Sequence, residues 1–311
     1  MSSSPSRPPI RAEIHSHSTA SDGEFSPLAL RQKMAHHHVR LWSLTDHDTM
    51  KGNETLLEVF DANDLSLREA LQALHDESRE QGGVVFLPGV EISARDERSV
   101  HVLGYGLDPR DEELATLFET RRTEREARMH GMVEKAKTFG FELDMVELEA
   151  QAPDGNFARP HLARVLVNHG YVSDMQKAFD LYLGEGKPLY IKSPYMSVEQ
   201  AVGLIRRHRG VAVVAHPGSS RRDERFGDWV EAGLDGVECW HPSHSTELSH
   251  HYEGMARRYE LLQTASSDFH GPNVSPDRRL GETTLASAHA EALLSLVQRR
   301  GGRLCWIRGQ G

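Results

Sequence analysis

An α/β barrel interrupted by a helical insert is the fold class that this sequence predicts, and three observations predict it. Short apolar β-like runs at 12–14, 41–44, 84–87, 100–103, 211–214, 236–239 and 261–264 alternate with helical patterns. From about 111 to 192 the pattern turns helical, with no convincing strand over most of its length. Residues of metal-ligating type stand at or just beyond the ends of the runs, where side chains converge at one end of a barrel.

The elements follow in order. Met1 to Pro9 is rich in Ser and Pro and reads as a disordered tail, lacking the apolar core of a secretory signal. Residues 10–108 form the first part of the barrel, 109–194 an inserted helical domain that sets substrate specificity, and 195–311 the second part. Ser26-Pro27 is an N-cap followed by proline at the first helical position, and Ser197-Val198-Glu199-Gln200 has capping-box spacing. Gly82-Gly83 and Gly210 read as stops before strands. The mixed-charge run 119–128 reads equally as a solvated helix face.

Composition narrows the function classes. The chain has 311 residues, enough for one large α/β domain with a substantial core. A formal charge of -10 disfavours a protein that coats duplex nucleic acid, so any phosphate site must be positive only locally. Two cysteines, Cys239 and Cys305, support neither a disulfide framework nor a thiolate zinc cluster, and fit a reducing cytoplasm. No segment has the length and apolarity to span a membrane.

The ligand-type residues begin with His15-Ser16-His17, whose two imidazoles point to one side if the segment is extended. Ser21-Asp22-Gly23 adds a carboxylate in a turn close by. Thr45-Asp46-His47-Asp48 follows the second apolar run; His47 is the expected ligand, with Asp46 and Asp48 orienting imidazoles or backbone. Glu91 can bridge two cations through its two oxygens, and His101 and His216 flank it in the order of strands. Asp268 and His270 close the set. Each motif alone has a bland reading as a cap, a turn or a core histidine; their recurrence at successive strand ends points to a multinuclear metal hydrolase. His36-His37-His38 is better read as a polar helix end.

Taken in order, His15-Ser16-His17-Ser18, Ser21-Asp22-Gly23, Thr45-Asp46-His47-Asp48, Gly89-Val90-Glu91, His101, Ala215-His216-Pro217 and Ser267-Asp268-Phe269-His270 resemble the polymerase-and-histidinol-phosphatase (PHP) family over most of the chain. Glu13 stands where many relatives carry Asp. The resemblance implies a distorted (β/α)7 barrel holding two or three divalent ions, manganese first, with iron or zinc compatible with the same nitrogen and carboxylate ligands. By family pattern His15, His17, Glu91 and Asp268 would hold one ion, Glu91, His101 and His216 a second, and Asp22, His47 and His270 a third. Three carboxylates then leave a net charge of about +3, which favours phosphate anions.

Substrate residues are sought in and around the insert. Arg122, Arg125 and Arg128 repeat at helical spacing and can fork onto a phosphate, or pair with Glu119, Glu124 and Glu126. Arg159-Pro160-His161 opens a further helix, and His244 follows the strand-like run 236–239. Arg159, His161 and His244 are expected to contact phosphate, with His161 or His244 as a catalytic proton donor. With Gly186-Lys187-Pro188, these features resemble the branch of 3′,5′-nucleoside bisphosphate phosphatases and ribonuclease AM. That branch implies removal of the 3′-phosphate from a bisphosphonucleotide such as pAp, and shortening of 5′-phosphorylated RNA in some relatives. The expected partner is therefore a small nucleotide or short RNA. The alternatives are another phosphatase of the family, such as one acting on histidinol phosphate, and a noncatalytic metal-stabilised module.

Overall fold

The computed structural model describes residues 7–76, 82–152, 155–192 and 196–309. Most of the expected tail, and the junction expected at 194–195, lie outside these residues. The strands are β1 (Ile10–Glu13), β2 (Leu41–Trp42), β3 (Asn63–Asp64), β4 (Val84–Phe86), β5 (Gly89–Asp96), β6 (Arg98–Tyr105), β7 (Val211–Val214), β8 (Gly236–Trp240), β9 (Leu262–Ala265), β10 (Thr284–Leu285) and β11 (Cys305–Ile307).

Among the described residues their ladders form two sheets, ordered β10-β1-β2-β4-β11-β3 and β5-β6-β7-β8-β9, and not one closed ring. β1, β2 and β4 run parallel, as do β7, β8 and β9. Helices such as Pro27–His36 and Thr246–Arg258 make the crossovers that parallel pairing requires. β7 is a continuous buried run, Val-Ala-Val-Val, as expected of a parallel strand covered on both faces. The inward faces of both sheets share one core, in which Ile10, Ala12, Leu41 and Val85 meet Leu103, Tyr105, Val211, Val213 and Ala265. Isolated bridges Ser16–Phe269 and His47–Glu91 stitch strand ends of one sheet to the other.

The middle of the strand order departs from simple alternation. β5 and β6 form an antiparallel hairpin, and β6 pairs antiparallel with β7. The hairpin reverses at Glu97, which has φ 57°. Its period-2 pattern sends Val90, Ile92 and Ala94 into one core and turns Glu91 and Ser93 to the opposite face, beside His101.

Between β6 and β7 the chain is helical. Helix Glu112–Lys137 is capped by Asp111, whose side chain accepts from the Glu113 and Leu114 amides at 3.0 and 3.1 Å. Leu114 and Phe118 in its first half join the sheet core, while Met129, Met132, Val133 and Ala136 join a second core drawn from 129–189. That second core includes fully buried Leu162, Leu166 and Leu189, each contributing about 1.5–3 kcal/mol on burial. The chain returns through helix Val198–Arg207, where Ser197 and Gln200 complete the capping box at 3.2 and 2.8 Å.

Candidate metal centre

The ends of strands from both sheets deliver the ligand-type side chains. His15 and His17 leave the end of β1 fully buried, with ring centroids 5.2 Å apart. Asp22 arrives through a tight loop held by Asp46, which accepts from the Ser18 amide, the Ser18 hydroxyl and the Ser21 hydroxyl at 2.7, 2.7 and 2.6 Å. Gly23 is required in that loop because a Cβ there would lie 2.3 Å from the His17 carbonyl oxygen. Asn156 donates to the His47 carbonyl at 2.7 Å, fixing the loop after β2 from the helical segment.

Glu91, on the hairpin, is the hub. Its Oε1 lies 2.7 Å from His101 Nδ1 and 3.1 Å from His216 Nε2; its Oε2 lies 3.1 Å from His15 Nε2, 3.0 Å from His17 Nε2 and 3.2 Å from His47 Nδ1. The antiparallel register explains the first contact, since Glu91 faces Leu103 and His101 is its diagonal neighbour on the same face. Asp268 Oδ1 lies 3.1 Å from both His15 Nε2 and His17 Nε2, and His270 Nε2 lies 3.3 Å from Asp22 Oδ1.

Among the described residues three groups result, with ligand atoms within 4.8 Å of one another: His15, His17, Glu91 and Asp268; His17, Asp22, His47 and His270; and His47, Glu91 and His101. Burial opposes the charge on Glu91, Asp22 and Asp268, yet imidazoles, led by His15 for Glu91 and Asp268 and by His270 for Asp22, hold all three carboxyls well below their usual range. His15 Nε2, His17 Nε2, Asp22 Oδ1, His47 Nδ1 and Asp268 Oδ1 are buried without a well-formed hydrogen bond. They belong to the close-set groups of ligand atoms above, and that clustering of buried, unsatisfied donors suits divalent cations. Asp268, His216 and the neighbouring Asp48 have φ of 51°, 29° and 50°, strained values for such residues that the surrounding packing holds in place.

A layer of supporting residues surrounds the cluster, and sequence reasoning missed several. Glu238 Oε1 is 3.2 Å from His15 Nδ1, and its Oε2 accepts from the His216 amide at 2.8 Å. A lone carboxylate inside the apolar run of β8 is the signal that could have found it. His241 directly follows β8, at the kind of strand-end position that marks the ligand-type residues, and its Nε2 lies 3.4 Å from Asp268 Oδ2. Arg278 donates to the Asp268 carboxylate and to its carbonyl, the latter at 2.8 Å; nothing in its loop sequence marks it. Glu13, buried and pushed up to about 7 by burial, accepts from the Ser266 hydroxyl and Ser267 amide at 2.8 and 3.1 Å, tying β1 to the loop that carries Asp268. Because Glu238 fixes the orientation of His15, Glu238→Gln is expected to weaken divalent-metal affinity roughly 10- to 100-fold in a competitive chelator titration. Unchanged affinity would remove it from that role.

The residues expected to meet substrate divide. A cleft of about 350 Å³ is lined by Asp22, His47, Glu91, His101, Asp268 and His270 together with Pro160, Phe179 and Arg278. A smaller hollow of about 150 Å³ shares Asp22, His47, His101, Pro160 and Phe179 and adds Arg125, Arg159, Ser93 and Ser99. Arg125 and Arg159 therefore border the site. Arg122 does not: it pairs with Glu119 at 2.6 Å and Glu126 at 3.2 Å on the helix surface. It borders a separate cavity lined by Met50, Leu114 and Phe118. Arg128 is buried and lines neither hollow.

The two histidines expected to give a proton make contacts with the backbone. His161 is fully buried; its Nδ1 accepts from the Ala158 amide at 3.1 Å as a helix cap, and burial pushes its pKa down to about 4. His244 has Nδ1 3.0 Å from the Cys239 carbonyl, and its Nε2 accepts from the Gly218 amide at 3.2 Å, so both ring nitrogens serve the backbone. Neither is among the residues that line the two hollows. None of His36, His37 and His38 enters a metal-competent group among the described residues.

No family model matches the chain. It is 33% identical to a 3′,5′-nucleoside bisphosphate phosphatase of Chromobacterium violaceum over 286 residues, covering 87% of this chain and 90% of that protein. It is 30% identical to a 5′-3′ exoribonuclease of Haemophilus influenzae over 269 residues, 84% of this chain and 90% of that protein. Among solved structures, one assigned as a metal-dependent phosphoesterase from Bifidobacterium adolescentis superimposes with a TM-score of 0.76 at 29% identity, covering 92% of this chain and 96% of that one.

Proposed function

Because this chain belongs to the PHP family of metal-dependent phosphoesterases, we propose that it removes the 3′-phosphate from 3′,5′-bisphosphonucleotides such as pAp and shortens RNA from a 5′-phosphorylated end. The observation that carries this reading is the pair of joined hollows, one walled by the ligand cluster and one bordered by Arg125, Arg159, Ser93 and Ser99. A substrate with two phosphates has a place for each. Histidinol phosphate, with one phosphate and a cationic amine, would leave the arginine-lined hollow without an anion.

We read the two sheets as flanks of a distorted barrel, supported by their shared core and the bridges between strand ends. The helical segment 109–194 is the specificity element on this reading, since it supplies Arg125 and Arg159. His15, His17, Glu91 and Asp268 would hold one ion, Glu91, His101 and His216 a second, and Asp22, His47 and His270 a third. Manganese suits these nitrogen and carboxylate donors, and no thiolate takes part: Cys239 and Cys305 are buried and free. Bound there, divalent ions activate water and offset the charge of the reacting phosphate. The chain's own residues do the rest: Glu91 spans neighbouring groups with its two oxygens, Glu238 and Asp46 hold the loops of the cluster, and Arg159 fixes the distal phosphate. No protein nucleophile is required.

Arg159 reaches the small hollow with one hydrogen bond to the Leu183 carbonyl at 3.3 Å. Arg159→Ala should raise KM for pAp roughly 10- to 100-fold, the worth of a charge-assisted hydrogen bond. For adenosine 3′-phosphate, which lacks the anchored group, KM should hardly change. Equal effects on both substrates would assign the 5′-phosphate elsewhere.

A further inference from the structure

Phe179 is the one large aromatic ring that borders both hollows among the described residues lining them. It opens a π-helical turn, Phe179–Leu183, a local widening that often accompanies functional positions. The ring is half-buried: one part packs against the helical core, and the accessible part faces the cleft. The Arg159 guanidinium lies over this ring, 5.7 Å from its centroid, and at the same distance over Tyr190. Pro160 accompanies Phe179 along both hollows, so the two give an apolar strip beside Asp22, His47 and His101, which the hollows also share.

A bisphosphonucleotide carries its base on the same ribose that bears both phosphates. With the 3′-phosphate at the ligand cluster and the 5′-phosphate at Arg159, the base must lie against whatever wall joins the two hollows. We propose that Phe179 is the nucleobase platform of this site, stacking the base through its face while Arg159 braces it. The inference rests on the bisphosphonucleotide reading above and adds a specificity. Stacking engages the π-face that every base has and reads no base edge, so discrimination among bases is weak while the presence of a base matters. The same platform would accept each successive 5′-terminal nucleotide of a short RNA.

The test compares pAp with ribose 3,5-bisphosphate, which has both phosphates and no base, using the metal-loaded enzyme. Phe179→Leu keeps apolar volume beside the helical core, and Phe179→Tyr keeps the aromatic face. Phe179→Leu should raise KM for pAp roughly tenfold and leave KM for the baseless bisphosphate within about twofold; Phe179→Tyr should behave as the parent on both. Binding of 2-aminopurine riboside 3′,5′-bisphosphate should quench its fluorescence in the parent and the Tyr variant and not in the Leu variant. A KM increase of equal size for the two substrates, or quenching unchanged in Phe179→Leu, would overturn the platform. Should the parent hydrolyse no bisphosphate, the functional reading fails, and the quenching comparison still decides the role of Phe179.

Discussion

Asp268→Asn should lower kcat/KM on the order of 10³-fold, with the fold retained by circular dichroism and thermal melting. The carboxylate supplies the oxygen that lies 3.1 Å from both His15 and His17, and it also receives Arg278. Asparagine is the informative replacement because it tolerates the left-handed backbone at φ 51° better than alanine does, so a folding defect is not confounded with the loss of charge. Losing one of the carboxylates that would hold the cations would remove charge stabilisation from the reacting phosphate. Metal content, measured alongside activity, should fall in the same variant. Retained activity would exclude Asp268 from the metal centre.

Arg125→Met is expected to destabilise the protein by about 3–5 kcal/mol in urea denaturation at pH 7. Arg125 reaches from helix Glu112–Lys137 to the buried Asp48 carboxylate and to the Ser93 hydroxyl at 2.9 Å. Burial alone would raise the Asp48 carboxyl, but Arg125 overcomes it and holds the carboxyl below its ordinary value of 3.8. A depressed folded value means that the stabilisation is present above the unfolded value and lost as pH falls through the folded one. Removing Arg125 therefore strands a buried charge, whereas Asp48→Asn combined with Arg125→Met should recover much of the loss. A single-variant loss below about 1 kcal/mol would show that water screens the pair. Because the pair ties the helical segment to the loop after β2, the variant should also raise KM for pAp.

The ligand cluster was legible because its residues sit at strand ends, where one position in the chain implies one place in space. The strand pattern brought His15, His17, Glu91 and Asp268 toward one end of the fold, and the family resemblance implied their division among ions. The β5–β6 hairpin was only half legible: the run 100–103 marks part of β6, but the charged residues Arg95, Asp96, Glu97 and Arg98 at the tip carry no apolar pattern, and β5 was missed because Glu91 stood beyond the run 84–87. Two-residue strands such as β3 and β10 carry too little pattern to be seen at all.

Supporting residues were harder. Glu238 left a trace as a carboxylate in a buried strand, whereas Arg278 acts from an irregular loop whose course depends on the whole fold. His161 and His244 look chemical in the sequence because they stand beside the expected site, yet neither lines its hollows. His244 commits both ring nitrogens to the backbone and His161 commits its Nδ1, a role decided by hydrogen-bond partners that a sequence does not display.

The most direct test incubates manganese-reconstituted protein separately with pAp, histidinol phosphate and a short 5′-phosphorylated RNA, and resolves the products. Release of inorganic phosphate and adenosine 5′-phosphate from pAp, with mononucleotides from the RNA and little turnover of histidinol phosphate, is the predicted result. Turnover of histidinol phosphate alone, or of none of the three, would contradict the account.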